Sequence, residues 1–216
     1  MAAVTGSLVF DMKQLFLIVV IMLGFGCKAQ TTIMSLYDDT DINGAYYKDI
    51  YNDFDKFIGT WKYTNGSTSL TITLQKKVQY HKFFSNGDDY YLDVMVGEYK
   101  YIENGVEKIN TLPFLFQNFD DPYKYHIAGS LIARPNSVYC LGCGPNDRKL
   151  VLGFVDPNRS IPGYEPEMMF QRVDSGGVQK LKLIFRTTSG MIVEEGVEPP
   201  YSEYTVPFGE YLLVKQ

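Results

Sequence analysis

From Gly59 onward, apolar and polar residues alternate in short runs. Leu70, Ile72 and Leu74 alternate with Thr71, Thr73 and Gln75. Tyr90, Leu92, Val94 and Val96 form a second face, and Leu181, Leu183 and Phe185 alternate with Lys180 and Lys182. A period of two sends successive side chains to opposite faces, so each run predicts a half-buried strand. By the same alternation Tyr90 is expected to face inward, and Tyr91, Tyr99 and Tyr101 outward. Residues 149–155 and 167–173 are more continuously apolar and predict strands covered on both sides; 211–214 ends the chain as another. Asn-Gly stands at 65–66, 86–87 and 104–105, each between candidate strands. The pair suits the positive φ of a tight hairpin turn. Pro113, Pro122, Pro157, Pro162, Pro199 and Pro200 mark longer loops.

Ahead of the strands, Ile50, Phe54, Phe57 and Ile58 recur at i, i+4, i+7 and i+8, opposite Lys48, Asp49, Asp53, Asp55 and Lys56. This predicts one short helix, with Asn43 as its cap. Residues 28–45 are polar and turn-rich and read as a flexible tether. The fold class that follows is mainly β: a single β domain over 46–216, with about eight to ten antiparallel strands closing a barrel and a short N-terminal helix across its base. A β-sandwich is the alternative.

The N-terminus has its own pattern. Lys13 precedes an apolar run at 15–23, followed by Gly24, Phe25, Gly26 and Cys27. A positive residue, a short apolar core and small residues make an export signal; the run is shorter than the roughly 20 residues a membrane span needs. Gly26 before Cys27 fits lipoprotein processing, so residues 1–27 read as a signal peptide with Cys27 as the lipidated residue. Gly24 stands where such signals usually carry leucine, with Leu23 one place early. Cleavage after Ala29, giving a soluble periplasmic or secreted protein, is therefore the alternative. Asp11 sits awkwardly ahead of Lys13, and Met12 makes a more compact start. The expected address is the cell envelope, through a membrane-anchored lipoprotein on the periplasmic or outer-membrane face.

Composition narrows the chemistry. The 216 residues are 45% hydrophobic and 15% aromatic, which excludes a disordered chain. A net charge of −5 argues against nucleic acid as partner. With two His and three Cys, most His- or Cys-built metal sites are unsupported. No G-x-S-x-G, H-E-x-x-H or phosphate-loop motif occurs, and no cofactor is implied. Cys140-Leu141-Gly142-Cys143 is followed at once by Gly144-Pro145, which removes the helix that would activate a thiol. In an oxidising compartment a Cys140–Cys143 disulfide is expected, with free thiols or a redox or metal role as alternatives. Asp39, Asp41 and Asn43 fit the front half of a calcium loop, but Ile50 stands where its closing glutamate belongs. They read first as a solvated tether. Asp88-Asp89, Asp120-Asp121 and Glu194-Glu195 are sequence neighbours at turns, unlike two carboxylates facing each other across a cleft.

Gly59-Thr60-Trp61-Lys62-Tyr63 is the most specific local feature. The G-x-W at the first strand, behind an amphipathic turn, resembles the calycin barrels, meaning lipocalins and fatty-acid-binding proteins. That resemblance implies an indole plugging the barrel base, with an arginine against it or on a ligand's carboxylate. Arg172 and Arg186 are the candidates, and Trp61, Tyr63, Arg172 and Arg186 are the expected ligand-binding residues. The Arg-x-Tyr pair found near the C-terminus of fatty-acid binders is absent.

Over most of its length the chain also resembles an uncharacterised envelope-protein family of Bacteroidota. Cys27–Gln30 (CKAQ), Tyr47-Lys48-Asp49, the stretch DKFIGTWK (55–62), VGEYKYIENG (96–105) and the closing LLVKQ (212–216) carry the likeness. It implies export and a compact β domain, and assigns no activity. The expected function is a non-enzymatic envelope lipoprotein, a monomer held to the membrane by its lipid, binding a small apolar or amphipathic ligand in the barrel. The alternative is a packed structural or interaction module that meets a protein or glycan through outer tyrosines.

Overall fold

The computed structural model describes residues 31–192 and 200–216. The expected signal, Cys27 and the Glu194-Glu195 pair lie outside them. The strands are β1 (Ile33–Ser35), β2 (Tyr46–Lys48), β3 (Gly59–Asn65), β4 (Thr68–Phe83), β5 (Asp89–Glu103), β6 (Val106–Asn110), β7 (Ile127–Ala133), β8 (Lys149–Phe154), β9 (Pro166–Arg172), β10 (Lys180–Thr187) and β11 (Gly209–Lys215). Eight of them close an antiparallel barrel in the order β3-β4-β5-β7-β8-β9-β10-β11. β11 returns to β3 through Val214↔Lys62 and Lys215↔Trp61. Closure leaves no pair of separate sheets, so the sandwich alternative falls.

The three Asn-Gly pairs turn where expected. Asn104 (φ 52) and Gly105 (φ 79) form a two-residue link with both residues at positive φ. β5 has three successive partners along its second edge: β2 in parallel at 91–92, β7 at 95–97 and β6 at 100–103. It therefore holds barrel, hairpin and N-terminal strands together.

The interior is filled by the chain's own side chains. Trp61, Leu70, Ile72, Leu74, Met95, Tyr99, Leu152, Met168, Phe170, Leu183 and Phe185 are buried in one cluster. Gly97 is a packing requirement: a Cβ there would stand 2.6 Å from Leu74 Cδ2 and 2.9 Å from the Thr73 carbonyl oxygen. Four concavities bounded by described residues open on the outside.

Three expectations are corrected. The helix over Ile50–Ile58 does not form. Asn52 takes a positive φ of 54, and Asp49 accepts from the Asp53 and Phe54 N–H groups at 2.8 and 3.0 Å, folding the stretch into turns. Phe54 and Phe57 still reach the core, so the periodicity marked burial correctly and geometry wrongly. The described part of the expected tether is built into the sheet: β1 pairs with β2 in parallel, and Asn43 Oδ1, with no helix to cap, accepts from Asp89 N–H at 2.8 Å. Finally, Tyr99 and Tyr101 face inward, while Tyr90 packs with the outer cluster of Leu92, Val94, Val96 and Tyr125. The 111–126 connection covers that outer face, so both faces of β5 are apolar and alternation alone could not tell them apart.

Candidate functional site

Trp61 plugs one end of the barrel, fully buried, its indole N–H donating to Phe57 O at 2.7 Å. Two cations flank the ring: Lys215 Nζ at 4.4 Å and the Arg172 guanidinium carbon at 5.3 Å from its centroid. Both also donate to the segment that crosses this end, Lys215 to Ile58 O and Arg172 Nη1 to Lys56 O at 2.6 Å. Gly59 makes the approach possible. Its φ is +117, and a Cβ there would stand 2.6 Å from Lys215 Nζ. Burial, then the neighbouring Arg172 charge, pushes the Lys215 ammonium below its ordinary pKa.

Beside this plug lies a buried carboxylate network. Asp93, from β5, accepts from Tyr46 O–H at 2.6 Å, Asp49 N–H at 3.0 Å and Gln79 N–H at 3.1 Å. Asp49 also accepts from Lys76 Nζ at 2.9 Å. Asp53 accepts from Lys56 Nζ at 2.7 Å and from Tyr37 O–H. Burial works to raise the Asp53 pKa, but the Lys56 and Tyr37 hydrogen bonds outweigh it and hold it below the usual carboxylate value. Burial likewise pushes Lys76 down, and the Asp49 carboxylate reverses it to a net rise. Burial, followed by the bond to Asp93, raises the Tyr46 phenol. Every oxygen of these three carboxylates meets a donor, as buried charges require. The network ties the 49–54 turn to the barrel end.

The outer wall presents a different site. Ala128, Gly153 and Glu167 stand side by side across β7, β8 and β9, facing out. With no side chain at Gly153, the wall sinks into a trough of about 490 Å³, flanked by Tyr123, Tyr125, His126, Leu131, Tyr139 and Val155. Leu131 and Val155 are about half exposed, at 47% and 54%. One rim is held by Glu98, wholly buried, with His126 Nδ1 2.7 Å from its carboxylate. Past Tyr123 the aromatic surface continues: Lys82 Nζ lies 5.2, 5.8 and 5.6 Å from the rings of Phe84, Tyr90 and Tyr123.

Of the expected ligand residues Trp61 and Arg172 come together, the guanidinium against the indole as the resemblance implied. Trp61 and Arg172 are occupied in closing the barrel end. Tyr63 packs edge-on against Tyr211 with centroids 5.1 Å apart. Arg186, expected inside, points outward. Leu181, Leu183 and Phe185 hold the inward positions of β10, so Arg186 falls on the other face. There its Nε meets Glu167 Oε1 at 2.7 Å and its guanidinium lies 5.7 Å from the Tyr139 ring. Cys140 and Cys143 form the expected disulfide, with Cα atoms 5.3 Å apart. Asp39 and Asp41 are exposed and Asn43 is bonded to Asp89. Among the described residues no group of three or more His, Cys, Asp or Glu is arranged to hold a metal ion.

The family match covers residues 12–216. The chain belongs to DUF6705, a family of unknown function. No curated protein and no solved structure matches it. In this DUF6705 chain the geometry offers a barrel packed with its own side chains and plugged at one end by Trp61, and an open aromatic trough on its outer wall.

Proposed function

We propose that this DUF6705 chain is a non-enzymatic, exported envelope protein that works from its outer surface, as an interaction module. The observation that carries the reading is the contrast between a filled interior and the trough over Gly153. The trough joins apolar Leu131 and Val155, tyrosine rings, and the exposed carboxylate of Glu165. Aromatic and apolar walls with a few fixed polar groups suit a partner segment that is apolar and basic. The short apolar run, Gly26 and Cys27 support export and lipidation, with several acyl chains holding the module to a membrane. The flanked Trp61 and the single barrel support a calycin-like ancestry for the scaffold. An internal apolar ligand would have to displace residues such as Met168, Phe170 and Leu183 from a close-packed core.

The test places a photo-crosslinking amino acid at Leu131, in the trough, and at Leu212, exposed on the distant β11, in cells making the full chain. A discrete crosslinked species from position 131 only, lost when Gly153→Leu fills the trough, is expected. Equal crosslinking at both positions, or none at 131, contradicts the reading. In the same cells Cys27→Ser is expected to release the protein from the membrane fraction; retention would contradict the lipid anchor.

A further inference from the structure

The cleft between the N-terminal segment and the β7–β8 connection has a composition unlike the rest of this acidic chain. It encloses about 640 Å³ and is lined by Leu36, Tyr37, Arg134, Ser137, Tyr139 and Arg148, among others. We propose that it is a binding site for a phosphate group, gripped by Arg134 and Arg148 with the Ser137 hydroxyl between them.

Three observations carry this. First, the two guanidinium groups are organised through one tyrosine and one carboxylate. Arg134 stacks on the Tyr37 ring, 4.1 Å from its centroid; Tyr37 donates to Asp53; Arg148 Nε stands 3.5 Å from Asp53 Oδ2. Stacking on an aromatic face holds a guanidinium fork in place while leaving its N–H edge free. Second, donors are left over. Ser137 Oγ is buried with no hydrogen-bond partner, and Arg148 Nε, also buried, has only the 3.5 Å contact with Asp53 Oδ2, while Arg148 Nη1 donates to the Pro145 and Asp147 carbonyl oxygens at 3.3 and 2.7 Å. Buried polar atoms without partners are uncommon and costly, and the Ser137 hydroxyl marks where an acceptor oxygen is missing. Third, the charge balance fits an anion. Among the described residues Arg134 has no carboxylate within ion-pair distance, and the Asp53 carboxylate beside Arg148 is shared with Lys56 and Tyr37. Asp39, exposed at the rim, is the acid on the opposing side. A tetrahedral oxyanion offers acceptor oxygens for the free edge of Arg134, for the remaining Arg148 N–H groups and for the hydroxyl at once. The cleft shares only Leu131 and Tyr139 with the outer trough, and its proposed ligand does not depend on the trough's partner.

The test is a titration of the full-length protein with inorganic phosphate, following the arginine Nε–Hε resonances by ¹H–¹⁵N NMR. A saturable shift of the Arg148 signal is expected. Arg134→Gln, at an exposed position, is expected to weaken the apparent affinity about tenfold or more without changing the melting temperature; Ser137→Ala is expected to weaken it less. Vesicles of phosphatidylglycerol and of phosphatidylcholine distinguish the source. Competition by the anionic vesicles alone assigns the phosphate to a lipid headgroup, and phosphate binding without vesicle competition assigns it to a soluble ligand. No saturable shift up to about 10 mM phosphate, or the same affinity in R134Q as in the parent, overturns the proposal.

Discussion

Lys215, in the last strand, places its Nζ 4.4 Å above the ring of Trp61, in the first strand of the barrel. The contact joins the two ends of the barrel's chain path, and it exists because Gly59 carries no Cβ in its way. The G-x-W spacing thus has a physical meaning here: the glycine admits the cation that seals the tryptophan.

That relationship makes a cycle. Lys215→Ala is expected to destabilise by about 1–2 kcal/mol, through the lost cation–π contact and the hydrogen bond to Ile58 O. Gly59→Ala is expected to destabilise through both its positive φ and the collision with Lys215. In the double variant the collision vanishes, so urea melts should show a loss smaller than the sum of the single losses. Additive losses would mean the two residues do not meet.

Gly97 is expected to be intolerant for a different reason. Its missing Cβ is the space that Leu74 occupies, with Ile127 Cβ at 3.5 Å. Gly97→Ala should overpack the barrel and cost about 1–3 kcal/mol in chemical denaturation. Gly153→Ala, on the outer wall with only the Ala128 carbonyl oxygen at 3.5 Å, should cost much less.

How much of this was legible follows from where the burial lies. Strand alternation located the sheet, and Asn65-Gly66, Asn86-Gly87 and Asn104-Gly105 located its hairpins, because both signals are local. Tyr99 was misplaced because the 111–126 connection covers the other face of β5, a fact set by distant residues. The Asp49–Asp93 bond joins residues 44 positions apart and has no local signature. The trough was invisible for a similar reason: Ala128, Gly153 and Glu167 become neighbours only through strand register.

The carboxylate network predicts an acid-sensitive barrel end. Asp53 has its folded pKa lowered, so its contribution is present above the unfolded value and is lost as pH falls through the folded one. Stability measured by thermal melts should therefore fall below about pH 4. In Asp53→Asn that part of the fall should be missing, from a lower starting stability at neutral pH.

The Cys140–Cys143 bridge closes a loop with a sequence separation of 3. So short a loop constrains the unfolded chain little, and reduction should cost less than about 2 kcal/mol. Melting curves with and without reductant check this; collapse of the fold on reduction would contradict it.

The proposed outward-facing role rests on a barrel filled by its own side chains. The most direct test uses the chain's one tryptophan, Trp61, buried within that filling. Its emission should be blue-shifted and should stay unchanged as palmitate or another apolar ligand is added. A saturable, one-to-one change in Trp61 emission would show a ligand entering the barrel and would contradict the claim.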